Sequence, residues 1–157
     1  GIMMLDKLMI RVFVLSVILN LVACVPTNRK NVEEEPVPDL VEILKQADIA
    51  YENKDYVTSE KNYEILIKEF PTEAEYWFRL GNIYVLTKRP NEAVNVYREA
   101  LIRNPKFSKA WYNLSIVQLK QTAFSLNEML AYTNNEDPLH IKAEIMLKNI
   151  TSIISEE

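Results

Sequence analysis

Two patterns of apolar residues divide the chain. Near the N-terminus they run continuously from Val12 to Ala23, broken only by Ser16 and Asn20. From Leu40 onward they recur with the three- and four-residue spacing of helices that bury one face. Between the two, residues 25–38 hold three prolines, Arg29-Lys30 and the run Glu33-Glu34-Glu35, with no apolar period. Such a stretch lacks the apolar surface to offset its ordering entropy and is expected to be a tether. Asp39, with Glu42 three residues on, forms a helix-start signal. Asn53-Lys54-Asp55 reads as a turn, and Pro71 and Pro105 each close a helix. Tyr112, Ile116, Leu119, Ala123, Leu126 and Leu130 keep helical spacing, and no Gly, Pro or Asp interrupts them near residue 121. One helix over 108–133 is therefore predicted. Asn134-Asn135-Glu136 ends it, and Asp137-Pro138 opens a last helix over 138–155. Its apolar face is expected to contain Leu139, Ala143, Met146, Leu147, Ile150 and Ile154. The pattern predicts an all-α domain over residues 39–157.

The continuous stretch has its own logic. Lys7 and Arg11 precede it, and 12 apolar-rich residues are too few to span a bilayer but suit the core of a secretory signal. It ends in Leu21-Val22-Ala23-Cys24, which resembles the bacterial lipobox. The single cysteine of the chain stands where that motif places its lipid. The resemblance implies a lipoprotein signal peptide over 1–23, and a lipidated cysteine and tether over 24–38. It also implies a membrane anchor through lipid on Cys24. Val25, rather than Asp, follows the cysteine, and by similarity to Gram-negative lipoproteins this implies the periplasmic face of the outer membrane in the bacterial cell envelope.

An internal repeat is the most specific signal. Trp77, Leu80, Gly81, Tyr84, Ala93, Tyr97, Ala100 and Pro105 follow the order W-x2-L-G-x2-Y, A-x3-F, P, with Tyr97 in place of Phe. A step of 34 residues back places Ala47, Ser59, Tyr63 and Pro71 at the positions of Gly81, Ala93, Tyr97 and Pro105. The same step forward gives Trp111, Leu114 and Ser115, after which the match ends. This resembles the tetratricopeptide repeat, with units at about 40–71, 74–105 and, in part, 108–133. The resemblance implies a short superhelix of about two and a half antiparallel helix pairs, capped by the last helix. It places Trp77, Tyr84, Tyr97 and Trp111 in the core. It faces Tyr51, Phe78, Asn82, Lys109, Tyr112 and Ile116 to a concave groove, with Phe78 and Tyr112 as candidate anchors.

Composition narrows the function. One Cys, one His and two Gly exclude a multi-cysteine zinc site, a histidine metal cluster and most glycine-rich phosphate loops. His140 is expected at the surface, and Ser152 and Ser155 lack a base. No catalytic residue, cofactor or metal ligand is assigned. A net charge of −4 opposes general nucleic-acid binding. Charge is also partitioned. Residues 33–75 carry 13 acidic and 4 basic side chains, whereas 76–120 carry 2 acidic and 8 basic. Tetratricopeptide domains that clamp free C-terminal carboxylates use a lysine where Phe78 and Leu44 stand here, so the groove is expected to prefer an amphipathic helix or extended peptide. Arg79 and Lys109 would favour an acidic segment. The expected function is a non-enzymatic, membrane-anchored adaptor for a protein partner, of pilotin, secretion or envelope-assembly type. The alternative is a structural subunit of an envelope machine, docked through its convex face; a cell-wall enzyme or ligand-binding lipoprotein is the third and least favoured reading.

Overall fold

The computed structural model describes residues 39–155, so the signal segment, Cys24 and the tether lie outside the described residues. Asp39 caps the first helix, accepting from the amides of Val41 and Glu42 at 3.1 and 3.3 Å. Six helices follow: α1 (Leu40–Glu52), α2 (Tyr56–Glu69), α3 (Ala74–Leu86), α4 (Pro90–Arg103), α5 (Ser108–Tyr132) and α6 (Pro138–Ser155). Among the described residues there is no strand, and no helix is long and apolar enough to cross a membrane. Each helix packs on the next. The architecture is all-α: a short tetratricopeptide-type superhelix of two full helix pairs, then α5 and the capping α6.

The 34-residue step is visible in the backbone as well as the side chains. The turns inside the two pairs place Lys54 and Lys88 at φ 60° and 59°. Ser59 Oγ, at the position of Ala93, donates to the Ala47 carbonyl at 2.9 Å. The Tyr63 hydroxyl donates to Asp48 Oδ1 at 2.5 Å, and the equivalent Tyr97 hydroxyl donates to Asn82 Oδ1 at 2.8 Å. Two apolar clusters result. One gathers Ala47, Tyr63, Leu66 and Ile83; the other gathers Phe78, Ala93, Tyr97, Ala100, Ala110, Leu114 and Val117. Helix α3 supplies side chains to both and joins them.

Three expectations about depth need correcting. Trp111 is 51% exposed, because its indole lies across the α4–α5 turn and donates to the Pro105 carbonyl at 2.9 Å. Trp77 does the same to the Pro71 carbonyl at 3.0 Å. Losing the Trp111 indole should thus cost mainly a hydrogen bond, about 0.5–1.5 kcal/mol, rather than a core cavity. On α6, Leu139 and Met146 are exposed. The face that meets α5 is His140, Ala143, Leu147, Ile150 and Ile154, one strip further round the helix. His140 itself is buried, not superficial. Its Nδ1 lies 2.7 Å from Thr133 Oγ1 and its Nε2 lies 3.6 Å from Glu144, so it closes the α5–α6 turn.

Gly81 is the tightest point of the second pair. A Cβ placed there would lie 2.4 Å from Cε1 of Tyr97. That ring is 1% exposed and tied by its hydroxyl, so it has nowhere to move. Gly81→Ala should therefore destabilise the domain by about 1–3 kcal/mol despite the better helix propensity of alanine. A thermal melt equal to or above wild type would refute the close approach.

Candidate functional site

The concave side of the array carries a groove of about 350 Å³. It is assembled from residues of four helices. Tyr51 of α1 forms one end; Asn82, Val85 and Leu86 of α3 form one flank. Tyr112, Asn113, Ile116 and Lys120 of α5 form the other, with Tyr97 and Val117 below. The spacing explains the assembly. Asn82 to Leu86, and Ile116 to Lys120, are one helical turn apart and share a face.

The floor is a hydrogen-bonded set. Asn82 Oδ1 accepts from the Tyr97 hydroxyl at 2.8 Å and from Asn113 Nδ2 at 2.9 Å. These bonds join α3, α4 and α5 at one atom. They also leave the Asn82 amide N–H groups and the Asn113 carbonyl with no hydrogen bond among the described residues, so a donor and an acceptor face the groove. Burial pushes the Tyr97 phenol up to about 12; the Asn113 amide opposes the shift and Tyr51 adds to it. The phenol is therefore neutral across the physiological range and serves as a fixed donor to Asn82.

Of the residues expected in the groove, Tyr51, Asn82, Tyr112 and Ile116 line it. Phe78 does not, which corrects the reading of it as an anchor. It is 7% exposed and packed between Tyr97 and Phe107, with ring centroids 5.9 and 4.8 Å away. Its truncation would open the core. Lys109 also stands outside the groove, exposed beside a shallow neighbouring hollow that Tyr112, Asn113 and Phe78 border. Arg79 is held by Glu75, with Nε 2.7 Å from Oε1. Val85, Leu86, Asn113 and Lys120 were not among the expected site residues, although each lies three or four positions from one that was. Among the described residues no group of three or more His, Cys, Asp and Glu side chains could hold a metal ion.

This geometry can be set beside known proteins. Residues 74–107 match the model of the tetratricopeptide repeat. The match coincides with α3, α4 and the turn into α5, the stretch where the repeat residues are most complete. No curated protein matches the chain. Among solved structures, the TPR2B domain of yeast Sti1, in its pHsp70 complex, is similar at a TM-score of 0.52 and 19% identity. That likeness covers 72% of this chain and 96% of the other. The Sgt2 TPR domain from Aspergillus fumigatus is similar at a TM-score of 0.51 and 18% identity, over 77% of this chain and 82% of that one. At such identity the likeness concerns the fold alone.

The polar floor carries a pH dependence. The ordinary tyrosine value is 10.0 and the folded Tyr97 sits near 12, so the folded chain holds this proton more tightly than the unfolded one. That contribution to stability is complete below pH 10 and is lost as pH rises from 10 toward 12. The buried Tyr63 shifts in the same direction. Melting temperature should accordingly fall above pH 10, and Tyr97→Phe should flatten part of that fall. An unchanged alkaline slope in Tyr97→Phe would show that Tyr97 is not its source.

Proposed function

We propose that the chain is a non-enzymatic adaptor that binds a segment of a protein partner in its concave groove. The observation that carries this reading is the groove itself. Exposed apolar side chains from α3 and α5 flank an amide donor and an acceptor on its floor, all positioned by helices whose packing leaves them in place. Such a surface offers apolar contact to side chains and hydrogen bonds to a peptide group. It offers no nucleophile, base or cation-binding cluster. The tetratricopeptide architecture, typically a scaffold for protein interaction, supports the same reading.

We further propose, from the lipobox-like run Leu21-Val22-Ala23-Cys24, that the adaptor is held on a bacterial membrane by acyl chains on that cysteine, in an envelope-assembly or secretion role. Two or more chains make release from the membrane negligible. Cys24→Ala should abolish incorporation of labelled palmitate. Undiminished labelling of that variant would overturn the anchor.

For the groove, Tyr112 is 57% and Leu86 46% exposed, so both can be truncated at small cost to the fold. Tyr112→Ala combined with Leu86→Ala should keep the circular dichroism and melt close to wild type. It should weaken capture of the partner by about 2 kcal/mol for each side chain that is a true hot spot. Affinity capture from solubilised envelopes, read by mass spectrometry, compares the two proteins. Equal capture by the double variant would remove the groove from the mechanism and direct attention to the convex face.

A further inference from the structure

The third unit departs from the repeat in a way that reshapes the surface beside the groove. A complete pair would turn back near residue 121, but α5 continues to Tyr132 and carries Phe124 outward, 67% exposed. Phe124, Gln121 and Ser125 of α5 face Pro90 and Asn91 at the start of α4 across a second hollow of about 510 Å³. Gln121 Nε2 donates to Asn91 Oδ1 at 2.8 Å and fixes the two walls together. Lys120 lines both this hollow and the groove, so the two meet at its side chain.

Along α5 the residues Tyr112, Ile116, Lys120 and Phe124 succeed one another at four-residue steps. They form a row about 18 Å long at the helical rise of 1.5 Å per residue. Its order is apolar, apolar, cationic, apolar. No Asp or Glu lines either hollow, and Lys120 has no ion pair among the described residues. The complement of this row is a face with apolar side chains on both sides of one carboxylate. The spacing of the row then selects the occupant's conformation. The Gln121–Asn91 bond leaves the Gln121 side-chain oxygen and the Asn91 amide N–H groups outside it, so hydrogen bonding there serves a strand as well as a helix. A helix laid along α5 repeats its own side chains at the same one-turn interval and keeps its acidic and apolar residues in step with the row.

The geometry points to a track longer than the groove, running over the α4 start to Phe124. Its occupant is an amphipathic helix with an aspartate or glutamate between apolar side chains. Lys120 receives the carboxylate, and Phe124 receives the apolar residue one turn beyond it. This rests on the reading of the groove as the partner site.

The test uses the full chain in detergent and a displayed random library of peptides about sixteen residues long, enough to cover the row as a helix. Selected peptides are synthesised and titrated by fluorescence anisotropy. The expected winners carry a carboxylate one turn from an apolar residue. Phe124→Ala and Lys120→Glu should each weaken them about tenfold or more, the scale of a hot-spot contact. Replacing the peptide carboxylate with lysine should restore binding to Lys120→Glu. Changing that carboxylate to its amide, with the wild-type chain, gives the same reading without any protein variant. Peptides weakened by Tyr112→Ala with Leu86→Ala, yet indifferent to Phe124→Ala, Lys120→Glu and the amide change, would leave the groove standing and overturn the extended track. Peptides indifferent to every variant, or no enrichment at all, would overturn both.

Discussion

The Tyr97 ring lying on the bare backbone of Gly81 is the contact on which the rest depends. With no Cβ between them, α3 and α4 close to a separation that buries the ring completely and still lets its hydroxyl emerge at Asn82. That single bond makes a packing feature shape the floor of the groove. It commits Asn82 Oδ1 to the interior, turns the other end of the amide to the groove, and gives Asn113 of α5 an acceptor to find. The first pair repeats the scheme with Tyr63 and Asp48, but a carboxylate in that place has nothing to donate. The polar floor that can both give and receive a hydrogen bond therefore forms only where the second pair meets α5.

A second device couples one pair to the next. Proline cannot continue a helix, and its own carbonyl lies in the turn beyond the helix end. At Pro71 and Pro105 the indole of the following unit donates to that carbonyl. Arg103 reinforces the first of these: it donates to the Pro71 carbonyl and stacks its guanidinium 4.2 Å from the centre of the Trp77 ring. Arg89 adds a bidentate ion pair to Glu60 of α2 while lying over Tyr84. These links are satisfied at the surface, so they order the array without needing buried area, which a domain of two and a half pairs has in short supply.

What the sequence made legible follows from this division. The repeat spacing specifies which residue types meet, so the pairs, their turns and the unbroken α5 could be named from it, and four of the six residues expected in the groove are among the ten that line it. Depth is another matter. Trp77 and Trp111 look like core residues by type, yet donating their indole N–H groups to turn carbonyls leaves Trp111 half exposed. Phe78 stands beside the repeat tryptophan and looks free to face the groove, but Phe107 of the next turn covers it. On α6 the apolar positions span nearly two faces, and spacing alone does not say which edge of so wide a stripe meets α5. Leu139 and Met146 lost that choice to Ala143, Leu147 and Ile150. His140 belongs to no motif; helical spacing sets Glu144 one turn away, but only the fold brings Thr133 to its ring.

The degeneracy of the repeats also has a physical consequence. An array of identical units presents the same group at each step, so a ligand lying across it meets no electrostatic reason to prefer one direction. Here the position that holds Asn82 holds Asp48 one unit earlier and Ile116 one unit later. A carboxylate, an amide and an alkyl group thus follow one another across α1, α3 and α5, and Lys120 lies one turn beyond the last. The same trend appears in the charge count, acidic before residue 75 and basic after it. Lys120 attracts a carboxylate and Asp48 repels one, so electrostatic complementarity favours one docking direction over the other. A segment with one acidic residue can therefore lie with that residue toward α5 and not toward α1. The departures from the repeat pattern, which weaken its match to the family at both ends, are what give this surface a direction.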